Sequence, residues 1–225
     1  MSRLTTSGGN DVVQTPDSLA LAIVEHFQPW GTILEPCRGA GAFLRAFDAY
    51  NVNHAKPEHR MIEGFGAITM QDVRLHYIDS MEIAPTDGTT PSNFITEEPR
   101  LVAYDWIITN PPWSQFRAFL LQAMALADKI VFLDKMNAWG FTGRLKFIEQ
   151  AGYAFREIVL VDQPPKPWPQ MGMQLAAVHI SPATAAEKIE AQRKGTKGWL
   201  GNPTISRLEW TPDKPVTYTP PPPSL

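Results

Sequence analysis

The chain has 225 residues, a formal charge of 20 − 23 = −3 and 44% hydrophobic residues, the balance of one globular domain with attachments. Its one cysteine, Cys37, excludes an intramolecular disulfide framework and a cysteine-rich zinc site. No apolar run approaches the roughly 18–20 residues of a membrane span, Met1 to Val13 has no signal-peptide core, and the mild acidity excludes holding nucleic acid by bulk charge while leaving room for a local basic groove. A cytoplasmic location is expected, with no membrane partner.

In chain order, Thr15-Pro16-Asp17 predicts a helix start, with Thr15 as cap and Pro16 at the first helical position. Leu19, Ile23, Val24 and Phe27 follow at helical spacing. Thr32 to Glu35 is a short apolar strand, Gly39-Ala40-Gly41 a turn, and Ala42 to Tyr50 a helix. Arg60 to Glu63 predicts the second strand, and Tyr77 to Pro99, broken by prolines and Asp87-Gly88, predicts a loop. Asp105 to Thr109 is a strand, Gln115 to Asp128 an amphipathic helix, Lys129 to Leu133 a strand and Gly143 to Ala151 a helix. Arg156 to Val161 and Gln174 to Ile180 are two strands joined by the proline loop Gln163 to Met171. Ala183 to Lys194 has the composition of an exposed helix, Gly195 onward is irregular, and Tyr218 to Leu225 predicts a disordered polyproline II tail. Strands alternating with helices predict an α/β domain over residues 1–181, with a parallel sheet covered on both faces, and a C-terminal extension over 182–225. The final two strands have no helix between them and predict an antiparallel hairpin at one edge.

Two motifs carry chemistry. In Ile33-Leu34-Glu35-Pro36-Cys37-Arg38-Gly39-Ala40-Gly41-Ala42-Phe43 a strand runs through a glycine turn into a helix. Glycines let the backbone approach a ligand and the helix start offers free N–H groups, the seat of a nucleotide-like cofactor. The pattern is neither the dinucleotide fingerprint nor a P-loop, and tight strand-to-helix packing explains a glycine turn equally well. In Asp105-Trp106-Ile107-Ile108-Thr109-Asn110-Pro111-Pro112-Trp113 an apolar strand ends in an amide, two prolines and an aromatic. The prolines fix φ and remove N–H donors, leaving acceptors on a rigid strand end beside the flat face of Trp113. Such a set suits a planar group with an exocyclic amine; the alternative is a Pro-Pro loop with a core tryptophan.

Together these motifs, over Asp11 to Ser181, resemble the class I S-adenosylmethionine-dependent amino-methyltransferases, most of all small phage and prophage DNA adenine-N6 methyltransferases. The resemblance implies a Rossmann-like, doubly wound, mostly parallel seven-stranded sheet. It implies S-adenosyl-L-methionine as cofactor and DNA as partner, with restriction-modification as one setting. It implies that Thr15 and Pro16 seat the methionine end, that Glu35 lies beside the cofactor's amino group in a turn with Pro36, and that Gly39 and Gly41 approach its backbone. Glu63 would hold the ribose hydroxyls, and Asp72, in place of an Asp-Phe segment, the adenine amine. Asn110, Pro111, Pro112 and Trp113 would form the catalytic tip for a flipped-out base. RNA, cytosine N4 or a protein glutamine amide presents the same amine, and a non-catalytic nucleic-acid-binding version of the fold is the further alternative.

Cys37 lies in the cofactor motif and reads as a small buried residue. Lys135, Met136, Asn137 and Trp139 follow a strand and either line the target pocket or form a surface loop. Arg117, Arg144, Lys146 and the Arg193, Lys194, Lys197, Trp199 cluster either meet phosphate or are solvated. The histidines have no ligand spacing, and no metal is expected.

Overall fold

The computed structural model describes residues 13–62, 66–72, 74–83, 90–96, 103–140, 142–170, 172–194 and 201–212. The elements in chain order are α1 (Asp17–Phe27), β1 (Gly31–Glu35), α2 (Ala42–His54), β2 (Lys56–Ile62), β3 (Gly66–Asp72), β4 (Leu75–Ser80) and β5 (Tyr104–Thr109). A 3-10 turn (Trp113–Gln115) then leads into α3 (Phe116–Leu126), β6 (Ala127–Lys135), α4 (Met136–Trp139), α5 (Thr142–Gln150), β7 (Tyr153–Val161), β8 (Leu175–Pro182), α6 (Ala185–Lys194) and β9 (Thr204–Arg207).

Side-chain alternation along continuous apolar strands builds two cores. Ile33, Trp106, Ile108, Val131 and Leu133 point to one face, where Leu19, Ile23 and Val24 of α1 and Phe43, Ala46 and Phe47 of α2 cover them. Leu34, Ile107, Ile130 and Phe132 point to the other, under Phe116, Phe119 and Leu120 of α3, Trp139 of α4 and Ile148 of α5. Burial on both faces is what a parallel strand requires. The sheet has seven strands in the order β4-β1-β5-β6-β8-β7-β9. β4, β1, β5 and β6 are mutually parallel, and β8 is antiparallel to both β6 and β7. The expected doubly wound α/β sheet with an antiparallel pair is therefore present. No helix among the described residues is long and apolar enough to cross a membrane.

Three elements differ from the sequence reading. Arg60 to Glu63 does not supply the second strand of the sheet: β2 pairs only with β3, in a separate antiparallel hairpin. That strand is β4, from a stretch that overlaps the expected loop, and its register with β1 runs from Gly31↔Leu75 to Glu35↔Ser80. As an edge strand it buries little beyond Leu75, so its apolar signal is weak. The β7–β8 hairpin is not the edge either, because β9, from the stretch read as irregular, lies parallel to β7 and Leu208 is buried behind it. At the first helix Pro16 is the cap residue and no side chain caps it; the Thr15 hydroxyl is engaged elsewhere.

β1 and β5 pair directly only over Ile33↔Trp106 and Leu34↔Ile107. The Asp105 carboxylate extends their contact, accepting from the Thr32 N–H at 2.8 Å and the Thr32 hydroxyl at 3.0 Å. Gly31 makes room for it. Its φ is +87°, and a Cβ there would lie 2.2 Å from Asp105 Oδ2. Gly31→Ala is expected to cost about 2–4 kcal/mol, at roughly 2–4 °C of melting temperature per kcal/mol for a chain of this size. In an Asp105→Ala background the cost of the same substitution is expected to fall to about 1–2 kcal/mol, the backbone strain alone. Equal costs in both backgrounds, measured by denaturant unfolding, would remove the carboxylate clash from the account.

Candidate active site

β1 leaves the carboxyl edge of the sheet toward α2 on one face, and β5 leaves it toward α3 on the other. A crevice opens at such a reversal, outside the strand ends. Both sequence motifs line it. The first forms a turn in which the Gly41 N–H donates to Arg38 O at 2.8 Å, with φ +51° at Gly39 and +82° at Gly41. These left-handed conformations need glycine. The Arg38 N–H donates to Met81 O and the Met81 N–H to Glu35 O, carrying the β1–β4 ladder into the turn. Pro36 is buried, and Cys37 is half-buried with its thiol pushed well above the ordinary range by burial.

Glu35, at the end of β1, is fully buried. Its Oε1 accepts from the Cys37 N–H at 2.9 Å and from the Thr109 hydroxyl at 2.5 Å, while Oε2 has no hydrogen-bond partner. Burial pushes the carboxyl up to about 8, against the smaller opposing effect of the Thr109 and Cys37 hydrogen bonds. An acid in this state gains most from a cationic partner.

Asn110 begins the second motif. Its Nδ2 donates to Val13 O at 3.1 Å and to Thr15 Oγ1 at 3.2 Å. A backbone carbonyl accepts only, so the amide orientation is determined: nitrogen faces the N-terminal segment. Oδ1 is left buried and without a partner. Pro111 is buried and Pro112 holds φ at −56° before the 3-10 turn. Trp113 is half-buried. Lys135 Nζ, from the end of β6, lies 4.5 Å from its ring centroid, and the Trp168 ring meets it edge-on at 6.3 Å and 64°. The indole nitrogens of both tryptophans are buried without partners.

The carboxyl edge thus brings Thr15 to Asn110 and Glu35 to Thr109, with Pro36, Gly39 and Gly41 in the turn after β1 and Pro111, Pro112 and Trp113 in the turn after β5; Pro16 stands at the start of α1 next to Thr15. Glu63 lies outside the described residues. Asp72 is not gathered: its backbone pairs with Lys56 at the base of the hairpin and precedes Leu75, which registers with Gly31 at the amino end of β1. Asp79 and Glu82 lie at the carboxyl end of β4, as Glu35 lies at that of β1 and Asp134 at that of β6. Asp79, in register with Leu34, accepts from the Tyr104 hydroxyl at 2.6 Å and from the Ser80 N–H. Glu82 Oε2 accepts from the Gly39 N–H at 2.7 Å. Asn93-Phe94 follows them, with the Ser92 N–H on Glu82 O and Phe94 buried against Phe119. The sequence signal for these residues was Ile78-Asp79, an acid closing a strand, hidden because the strand sat beyond an inserted hairpin. Gln14 joins the glycine turn without a sequence signal of its own; its Oε1 accepts from the Ala40 N–H at 2.9 Å.

Of the secondary candidates, Lys135 joins the site, whereas Trp139 is a core residue packed against Phe116, Phe132 and Phe155. Arg117 and Arg144 lie over the rings of Phe147 and Phe116. Lys197 and Trp199 lie outside the described residues.

No family model and no curated protein matches the sequence. Solved structures share the fold. A Listeria monocytogenes protein described as a class I S-adenosylmethionine-dependent methyltransferase superposes with a TM-score of 0.57 at 11% identity, over 91% of this chain and 68% of its own. A Pyrococcus horikoshii protein described as an RNA methyltransferase gives 0.51 at 13%, over 80% and 92%. The methyltransferase subunit of a type I restriction-modification system from Streptococcus thermophilus gives 0.51 at 13%, over 79% of this chain and 46% of the subunit. The chain spans about half the length of such subunits. At these identities the likeness is one of fold.

Glu35 holds its proton more tightly when folded, its carboxyl being raised from 4.5 to about 8. Between those values the folded state binds more protons than the unfolded one, so stability from this group is full below pH 4.5 and is lost as pH rises toward 8. Glu35→Gln cannot ionise. Its melting temperature relative to the natural protein is expected to climb from about pH 5 to pH 8. A difference that stays constant over that range in calorimetry would contradict the buried, protonated acid.

Proposed function

We propose that the chain is an S-adenosylmethionine-dependent methyltransferase that methylates the N6 amine of adenine in DNA. The observation that carries this reading is Asn110 Oδ1, a buried acceptor without a partner, held by a fixed amide on a Pro-Pro strand end in the crevice. Buried polar atoms are normally satisfied, and an exception at a strand-end crevice marks a place where a ligand supplies the donor.

The cofactor's chemistry fits the residues around it. Glu35, with Oε2 unpartnered, suits the ammonium group, and pairing there would release its proton. Gly39 and Gly41 bring the turn close to the methionine backbone. Asp79, with Glu82 beside it, stands at the strand end where an acid would take the ribose hydroxyls, in the role expected of Glu63. Asn93-Phe94 offers the polar-aromatic pair for the adenine ring, in the role expected of Asp72. When bound, the cofactor supplies an electrophilic methyl group on a sulfonium.

This chain's residues then act on the target amine. Asn110 Oδ1 and the Pro111 carbonyl accept its two N–H bonds and turn the lone pair out of conjugation with the ring. With Glu35, Gly39 and Gly41 holding the methionine end, Asn110 and Pro111 would keep the amine lone pair in line with the methyl group that the cofactor would supply. The extra proton leaves to water afterwards, so no strong base is needed. A base in a duplex must be flipped out to reach the crevice, and stacking on Trp113 contributes about 1–3 kcal/mol. Lys135, beside that ring, brings positive charge to the mouth, where a phosphate of the target strand would pass.

The test is incubation with methyl-labelled S-adenosylmethionine and DNA, tRNA or protein extract offered separately, followed by digestion and identification of the product. N6-methyladenine from DNA is the expected product. Label confined to RNA, to protein or to cytosine would replace the substrate, and label in none would remove the activity. Asn110→Ala is expected to lower methyl transfer by at least about 100-fold while S-adenosylmethionine still binds in titration calorimetry. Undiminished transfer by that variant would remove Asn110 from the mechanism.

A further inference from the structure

The segment just before α1 lies across both halves of the crevice. Val13 O and Thr15 Oγ1 accept from Asn110 Nδ2. Gln14 Oε1 accepts from the Ala40 N–H in the glycine turn. Asp17 holds the Arg45 guanidinium at 2.6 and 2.8 Å, and Arg45 in turn donates to Ala40 O at 2.7 Å. Thr15 is the natural cap position of α1 by sequence, yet it caps nothing. Its hydroxyl is spent on Asn110, more than ninety positions along the chain.

An asparagine amide on a strand end has no intrinsic preference between its two orientations. If nitrogen and oxygen exchanged places, a donor would face the crevice, and the target amine would meet another N–H in place of an acceptor. The Pro-Pro turn fixes the backbone and leaves the amide rotor undecided. The Val13 carbonyl, which can only accept, selects the orientation, and the Thr15 hydroxyl holds the rotor there with a second bond to Nδ2.

We propose that Thr15 is a positioning residue for methyl transfer: its hydroxyl, together with the Val13 carbonyl, locks the Asn110 amide with Oδ1 toward the crevice. The functional half of this inference rests on the methyltransferase reading above; the amide geometry does not. Thr15 acts through Asn110 on the turnover step, a role separate from seating the cofactor.

Thr15→Val keeps the shape and removes the hydroxyl, and Thr15→Ser restores it. In the cofactor-free protein labelled with nitrogen-15, the side-chain amide signals of Asn110 are assigned by their loss in Asn110→Ala. In Thr15→Val they are expected to shift and to exchange faster with water, and in Thr15→Ser to return to the natural positions. In methyl transfer, kcat of Thr15→Val is expected to fall about 10-fold, the effect of one hydrogen bond of ordinary strength. Thr15→Ser is expected to stay within about 3-fold of the natural enzyme, since it keeps that bond. Unchanged Asn110 signals in Thr15→Val would overturn the lock. A variant with natural kcat and only a raised KM for S-adenosylmethionine would assign Thr15 to cofactor seating and overturn the proposal. Should the natural protein methylate nothing, the methyltransferase reading fails while the amide signals still decide the lock. Should Thr15→Val not fold, Thr15→Ala read by the same signals decides it.

Discussion

β1 and β5 lie side by side, tied by the Asp105 carboxylate on Thr32, and their chains depart from the carboxyl edge toward opposite faces of the sheet. Everything of chemical interest depends on this divergence. It keeps the strand ends from being roofed by the next helix. It sets the glycine turn of one strand against the Pro-Pro turn of the next. It also brings Thr109 within reach of Glu35, so that the two motifs are joined by a hydrogen bond at their bases. The clasp is at the opposite end of these strands, where Gly31 surrenders its side chain to make room for Asp105.

Buried polar atoms without partners occur elsewhere in the fold, on Tyr50, Trp106, Trp139 and His179, and three more fall at the strand ends of the two motifs. Glu35 Oε2, Asn110 Oδ1 and the Trp113 indole N–H are buried without partners within a few residues of one another in the fold. Orphan groups of this kind each cost about 1–3 kcal/mol, a penalty a protein retains where a ligand completes the set. The rest of the same residues' hydrogen bonding is well made. Glu35 Oε1 has two donors and Asn110 Nδ2 has two acceptors, so the orphan atoms are the ones pointed by their satisfied neighbours. Under the proposed function this is preorganisation: satisfied bonds hold the side chains, and the atoms left over define what the ligand must present.

The β2–β3 hairpin leaves that arrangement untouched because of where it is inserted. It emerges after α2 and re-enters at Leu75, which is in register with Gly31 at the amino end of β1. Its roots therefore lie at the amino edge of the sheet. The short β9 likewise adds to the far side of the sheet, beyond β7, and changes no residue of the site.

By itself the sequence determined the alternation of strands and helices, the two-faced burial of the central strands and the two motifs at their ends. Those properties are local: a period of two, a glycine needing positive φ, a proline pair fixing a strand end. Asn110, Glu35 and the glycines were legible for that reason. Only the tertiary structure decided which strand lies next to β1, because Arg60 to Glu63 competes in the sequence with β4, an edge strand that buries little beyond Leu75. That choice places Asp79 and Glu82 at the carboxyl end of β4 and Asp72 near the amino end of β1. It also decided what Thr15 does. A threonine before Pro-Asp reads as a helix cap, but whether its hydroxyl turns to its own helix or to an amide on another strand depends on an approach across the crevice that no spacing along the chain encodes.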